Sequence, residues 1–328
     1  MTHAAARLVP LSRLPDRRCF AAACPGRGRA RCWWSLMSVT LPVDVVQALA
    51  QAGLRSQDAE ILTVTSDPLG PRALYRVRLD NGLTVKARRL ESEEAAARQQ
   101  SVRAGLPPAF AIVIARSGAV LIEEWIEGRS LAHESPGETL VRDAARLLAT
   151  LHATPGSGGI DLPYSASTSG WKTLAEARLD QLLAGEALDA TAVGALRTIL
   201  AASDPGNAEA GVTHLDFCGE NMVIDHEGHL RVIDNDRICI DALGLDVARV
   251  WYRWALAGRA WHWFRDGYAD GGGSRDALAQ QRFWRIVGVS VSAAFRLRSS
   301  RADVSRPLEC LRRLAAGDVS GRDRLHTI

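Results

Sequence analysis

Two short runs concentrate the groups able to do chemistry: "HLDFCGENMVID" (His214–Asp225) and "LRVIDND" (Leu230–Asp236). His214, Asp216 and Asn221 precede the apolar "MVI", and Asp234, Asn235 and Asp236 follow "VI". The turn "DHEGH" joins two short apolar strands, which brings Asn221 and Asp234 to neighbouring ends of one hairpin. Two oxygen ligands with few other protein ligands suit Mg²⁺, which keeps several waters and takes phosphate oxygens. Asp216, five residues before Asn221 on the same loop, is placed to face an attacking group beside such a metal. His214 reads as a brace for the loop through its ring nitrogens. Asp236 reads either as support for the metal ligands or as the start of the next loop, and Cys218 as a small filler.

A second candidate lies far upstream, in "LTVKARRL". The chain holds 38 Arg and only two Lys, Lys86 and Lys172. Lys is a compact point charge on a thin stem and Arg a broad planar fork, so a position keeping Lys against this bias is one where a guanidinium is too wide. Chance is the alternative, since Lys172 escapes the same bias with no motif around it.

The elements that position these groups follow from periodicity. "EILTVTS" (60–66), "ALYRVRL" (73–79) and the run holding Lys86 read as three antiparallel strands. Asn81-Gly82 between the last two is a type I′ hairpin signal, because both residues tolerate positive φ. "ESEEAAARQQSVRAG" (91–105) reads as a helix with acids in its first turn, and "AFAIVIA" and "AVLIEEWIEG" as two more strands. This makes an α+β unit over 37–126. From 127 to 328 the texture is helical, with stretches at 138–154, 171–184, 189–202, 244–257, 260–269 and 275–299, interrupted by the strand-rich 211–237.

Residues 1–36 lack periodicity and read as a disordered extension, or as an over-long start whose true beginning is Met37. A transit peptide fits the composition. A twin-Arg signal at Arg17-Arg18 is followed by too short an apolar run. Charge is uneven: +6 over 1–36, −9 over 37–257 and +6 over 258–328, for a net +3. The six Cys show no metal spacing, which favours a reduced, cytoplasmic setting, and no apolar run reaches membrane-spanning length.

H-x-D-x-x-x-x-N followed by a short hairpin and "ID" resembles the aminoglycoside phosphotransferase/choline kinase family, small-molecule relatives of protein kinases. The resemblance runs from about Glu60 to Trp254. Its parts stand in the family's order: strand Lys86, helix Glu94, linker "EEWIEGRSL", helix ending "LATLHA", catalytic loop, metal Asp, "GLDVAR". It implies a two-lobed protein-kinase-like α+β fold, with a small antiparallel-sheet N-lobe carrying one helix and a larger helical C-lobe. It also implies ATP (or GTP) with Mg²⁺, and a small-molecule hydroxyl as acceptor: an antibiotic, amino sugar, sugar or amino alcohol. The protein would work as a monomer or homodimer, without nucleic acid or membrane.

Carried over residue by residue, the resemblance implies that Lys86 holds the α/β-phosphates, steadied by Glu94 or, failing that, Glu93. Gly70 in the first strand connection and Glu124 and Trp125 in the linker would contact the nucleotide. Asp216 would accept the acceptor hydroxyl's proton with His214 in support, Asn221 and Asp234 would hold Mg²⁺, and Asp246 would pin the catalytic loop. "SDPLGPRA" departs from the pattern, with one Gly where a Gly-rich phosphate cover is usual.

Acceptor contacts are expected from the helical lobe. Glu176, Asp180 and Asp266 are the candidate acids. The Trp set 251, 254, 261, 263 and 284 reads mainly as core, with part of it a possible pocket lining. His133, His226, His229 and His262 read as surface or loop residues. A protein kinase is a rival, but eleven residues between Asp234 and Asp246 leave little room for a peptide-docking segment. An inactive nucleotide-binding relative is the other, against which stands the presence of Lys86, Asp216, Asn221 and Asp234. A nucleic-acid binder, suggested by the Arg-rich ends, lacks a supporting motif.

Overall fold

Alternation along "TVKAR" decides how the sheet is built. Val85 and Ala87 turn to one face, where they meet a helix, and Lys86 and Arg88 turn to the other. The structure is a computed structural model that describes residues 39–67, 70–131, 136–155, 168–256, 258–299 and 304–317. The expected extension at 1–36 and Met37 lie outside these residues, as does His133. The chain divides into two compact units. The first takes the chain up to Gln100 together with Ile112–Trp125, and the second takes Ser101–Ala111 and everything from Ile126.

The first unit is a five-stranded antiparallel sheet. Its strands are β1 (Ser56–Asp67), β2 (Gly70–Leu79), β3 (Thr84–Arg89), β4 (Val113–Ser117) and β5 (Val120–Glu124), in the order β1-β2-β3-β5-β4. Helix α1 (Val43–Gln51) packs Val45 and Leu49 with Tyr75, Val77, Val85, Ala87, Val120 and Ile122. Helix α2 (Glu93–Arg103) packs Ala95 and Ala96 with Leu121, which alternates with Val120 and Ile122. Ser92 caps α2, its Oγ accepting from Ala95 N–H at 3.2 Å.

The β2–β3 turn differs from the type I′ expectation. Only Gly82 takes positive φ (80°), while Asn81 is not among the described non-glycine residues that do. Leu79 O accepts from Gly82 N–H at 3.0 Å and Asn81 Oδ1 accepts from Leu83 N–H at 3.0 Å. The result is a three-residue loop with a single left-handed glycine. Asn81 spends its side chain on the turn instead of supplying a second positive φ.

The second unit is mostly helical: α3 (Glu138–His152), α4 (Thr168–Ala184), α5 (Ala190–Ala202), α6 (Leu243–Arg253), α7 (Gly258–Asp270), α8 (Arg275–Ala279), α9 (Gln281–Ser299) and α10 (Ser305–Ala315). The run read as one helix over 275–299 is two, broken at Gln280. Set among the helices are β6 (Gly128–Ser130), β7 (Ala210–Thr213), β8 (Met222–Asp225), β9 (Leu230–Val232) and β10 (Cys239–Ala242). Strands β6, β8 and β9 form one small sheet, and β7 pairs with β10. Helix α7 closes on α3 at Gly267, where a Cβ would lie 2.6 Å from the backbone oxygen of Arg142. The β-rich pieces pack on α3, α6 and α7 through Leu148, Val212, Phe217, Met222, Val247 and Phe264.

Candidate active site

The loop after β7 leaves its ladder abruptly, and Leu215 takes φ of 56°, a left-handed conformation that a branched side chain adopts only under constraint. The constraint is Asp246, in the first turn of α6. Because β10 pairs with β7 and runs straight into α6, the carboxylate arrives at the end of β7. It accepts from His214 N–H at 2.6 Å and from Leu215 N–H at 2.8 Å. His152, at the end of α3, adds its Nε2 at 3.2 Å, and its Nδ1 lies 2.6 Å from the Tyr268 hydroxyl. Burial alone would raise the Asp246 carboxyl. The hydrogen bond from His152, with the loop's amide, more than offsets it and holds the group below the usual carboxylate range. An ionised Asp246 requires the proton on His152 Nε2, which leaves Nδ1 to accept from Tyr268.

His214 is fully buried. Its Nδ1 accepts from Asp216 N–H at 3.2 Å, so Nε2 carries the proton and donates to Asn235 Oδ1 at 3.2 Å. Asn235 passes the chain on, donating to Ala111 O at 3.3 Å. Burial pushes the ring's pKa below the usual histidine value, which fits a neutral bracing ring better than a proton carrier.

Asp216 sits half-buried. Its Oδ1 accepts from Arg253 Nε at 2.8 Å, and Arg249 Nη2 lies 3.9 Å from the same oxygen. Arg253 also reaches Glu220 Oε2 at 3.2 Å, and Arg249 donates to Leu215 O. Arg249 ends the quoted "GLDVAR" without a role assigned to it there, and Arg253 lies beyond that run. The signal is their phase: Asp246, Arg249 and Arg253 stand at i, i+3 and i+7 on α6 and share one face. Gly219 begins the next turn because Trp254 covers it; a Cβ there would lie 2.7 Å from the indole Nε1. Burial raises the Cys218 thiol, which makes it packing and not a nucleophile.

Asn221 and Asp234 come to adjacent ends of the β8–β9 hairpin, where Asn221 O accepts from Ile233 N–H at 2.9 Å. Asn221 Nδ2 donates to Asp216 O at 2.8 Å, which turns Oδ1 the other way. Asp234 takes φ of 57° at the head of a 3-10 turn, Asn235–Arg237, that also holds Asp236. An amide oxygen beside a carboxylate is an all-oxygen donor pair, and it fits a hard divalent cation such as Mg²⁺. Asp225 closes the intervening turn, its Oδ1 accepting from the N–H groups of Glu227 and His229.

In the first unit Lys86 Nζ lies 3.4 Å from Glu123 Oε2 on β5, and Arg88 Nη2 lies 3.3 Å from the same oxygen. This corrects the expectation that Glu94 steadies Lys86. Glu94 is exposed, and hydrogen bonds from its own backbone N–H and from Ser92 hold its carboxyl low. Glu93, the fallback, pairs with Arg116 at 3.2 Å. The reason is helix phase: Ala95 and Ala96 take the face of α2 that meets the sheet, which turns both acids outward. Gly70 stands opposite Asp67 where β1 meets β2. Glu124 N–H donates to Ile112 O at 2.9 Å, and Trp125 lies under the Arg76 guanidinium, 4.9 Å from its ring centroid.

Two of the three acids expected to draw a cationic acceptor are engaged elsewhere. Exposed Asp180 pairs with Arg197, and exposed Asp266 with Arg142; Glu176 is half-buried on α4. Trp284 and Trp261 are core, the latter stacked on Phe264, and Arg285 sits 4.1 Å from the Trp251 ring centroid and 5.0 Å from that of Trp261. His226, His229 and His262 are exposed.

Comparison with known proteins bears on the fold and the family. The chain is similar in structure to a type I macrolide 2'-phosphotransferase, at 18% identity and a TM-score of 0.60 over 86% of this chain and 98% of the other. It is similar to a spectinomycin phosphotransferase in complex with ADP and spectinomycin, at 12% identity and a TM-score of 0.52 over 80% of this chain and 90% of the other. The choline kinase LicA from Streptococcus pneumoniae matches at 13% identity and a TM-score of 0.54, over 78% of this chain and 94% of the other. Identities this low carry the protein-kinase-like fold and not a substrate. A search of curated protein sequences gives no match. The family model described as "Phosphotransferase enzyme family" matches residues 45–284, from helix α1 to α9, and the chain belongs to that family.

Proposed function

We propose that this protein transfers the γ-phosphate of ATP to a hydroxyl group of a small molecule. The observation that carries the reading is the catalytic loop, in which Asp216, Asn221 and the turn at Asp234 are held in one hydrogen-bonded construction by Asp246 and His214. In that role Asp216 orients the acceptor hydroxyl and takes its proton, while Lys86 holds nucleotide phosphates. Asn221 and Asp234 would hold Mg²⁺, which when bound offsets phosphate charge. Acceptors in keeping with the family are aminoglycosides or other antibiotics, amino sugars, sugars and amino alcohols. No helix among the described residues is long and apolar enough to cross a membrane, and we place the activity in the cytoplasm.

The test is ATP consumption with Mg²⁺ against a panel of these acceptors, followed by Asp216→Asn on whichever is turned over. The variant is expected to lose roughly 10²–10⁴-fold in turnover while binding an ATP analogue as the parent does. Equal turnover would remove Asp216 from the chemistry.

A further inference from the structure

The structure assigns the carboxylate that aims Lys86 to strand β5: we propose that Glu123 is the positioning residue for this lysine, in place of an acid on helix α2. The proposal rests on the reading of Lys86 as the residue that holds nucleotide phosphates.

Register makes the pair. In the β3–β5 ladder Lys86 stands directly opposite Glu123, and directly opposed residues share a face with their Cβ atoms about 5 Å apart. Arg88, two residues along β3, shares that face and reaches the same Oε2 from the diagonal position. Glu123 is 1% exposed, Arg88 5% and Lys86 12%. A carboxylate so deeply buried stays ionised only beside cations that offset its lost hydration, and two are present at 3.3 and 3.4 Å. An ammonium has three N–H donors and can serve a carboxylate and phosphate oxygens together. A guanidinium at position 86 would have to fit beside that of Arg88.

The consequence concerns preorganisation. A lysine steadied by a helix carboxylate is aimed only while the helix is docked. Lys86 and Glu123 are instead joined through the backbone hydrogen bonds of adjacent strands, so displacement of α2 does not separate them. Glu94 is then free to vary.

Calorimetric titration with a non-hydrolysable ATP analogue and Mg²⁺, beside melting temperatures, tests this on the full chain. Glu123→Gln is expected to weaken analogue binding at least tenfold (an order-of-magnitude figure), while Glu94→Ala stays within about twofold of the parent. Glu123→Asp, which keeps the charge on a shorter stem, falls between. Because Glu123 acts through Lys86, Lys86→Ala/Glu123→Gln is expected to bind within about twofold of Lys86→Ala alone. A merely structural role would instead give additive losses. If Glu123→Gln cannot fold with Arg88 left unbalanced, Arg88→Met/Glu123→Gln takes its place, compared with Arg88→Met.

Additive losses, or unchanged binding in Glu123→Gln while Lys86→Ala is weakened, would overturn the proposal and leave the role of Lys86 standing. Unchanged binding in Lys86→Ala would remove both.

Discussion

Arg253 Nε donates to Asp216 Oδ1 at 2.8 Å, and the same guanidinium reaches Glu220 at 3.2 Å. The residue proposed to receive the acceptor's proton is therefore held by a fork with two carboxylates on its tines, one on each side of the loop. A lysine cannot copy that fork. Arg253→Lys is expected to lower kcat about tenfold or more with ATP KM unchanged, and Arg253→Ala to do no worse than a few times more. Steady-state kinetics with saturating ATP check this; a Lys variant with parental kcat would reduce Arg253 to a surface tie.

Lys86→Arg should be nearly as damaging as Lys86→Ala. Charge is kept, but the wide guanidinium must share Glu123 with Arg88 at a position where Lys86 Nζ is already 3.4 Å from the carboxylate. Turnover within about threefold of the alanine variant is the expected outcome, and substantial retained activity is the contrary one.

Asp241 and His214 make opposite contributions to stability as pH changes. Burial raises the Asp241 carboxyl to about 6, above its unfolded value, so its charge costs stability above that pH and the cost is relieved as pH falls through 6. Asp241→Asn keeps the oxygen that accepts from Ala242 N–H and removes the charge. Its gain should be greatest at pH 8, on the order of 3 kcal/mol, and shrink toward pH 4. His214 has its pKa depressed by burial, so its contribution is present above the ordinary histidine value and is lost as pH falls below it. Melting temperatures of parent and Asp241→Asn across pH 4–8 decide the matter: parallel curves would contradict the raised carboxyl.

Gly219→Ala tests the cover over the loop. The new methyl would lie 2.7 Å from Trp254 Nε1 and 3.1 Å from Leu131 O, so the indole has to move. A loss of about 1–3 kcal/mol is expected, read as a lower melting temperature. Trp254→Ala in the Gly219→Ala background should lose less than in the parent, since the clash is then absent.

The parts of this site that the sequence revealed are those joined by short stretches of chain. His214, Asp216 and Asn221 lie within one loop, and a five-residue turn brings Asp234 beside them. The parts it hid depend on phase and register. Whether Glu94 or Ala95 faces the sheet is a matter of how α2 is rotated, and the helix turned its alanines inward. Glu123 meets Lys86 because β5 pairs with β3 in one register, and a shift of one residue would have put Glu124 opposite Lys86 and turned Glu123 to the other face. Arg249 and Arg253 are visible only once Asp246 fixes which face of α6 looks at the loop. The fold followed the same division. Runs with clear periodicity became strands and helices, whereas the three-residue strand β6 and the break at Gln280 carry too few residues to show a period.

The grip of Asp246 on two consecutive backbone amides has a consequence for hydrogen exchange. Loop amides ordinarily trade their protons with water on small local openings. Those of His214 and Leu215 donate to a fully buried carboxylate that is itself rooted in α6 and tied to α3 through His152. Releasing either proton means dislodging a buried anion, so these two amides should keep their deuterium about as long as the interior of α6. A segment that carries a left-handed leucine would then be among the slowest in the second unit to let solvent in.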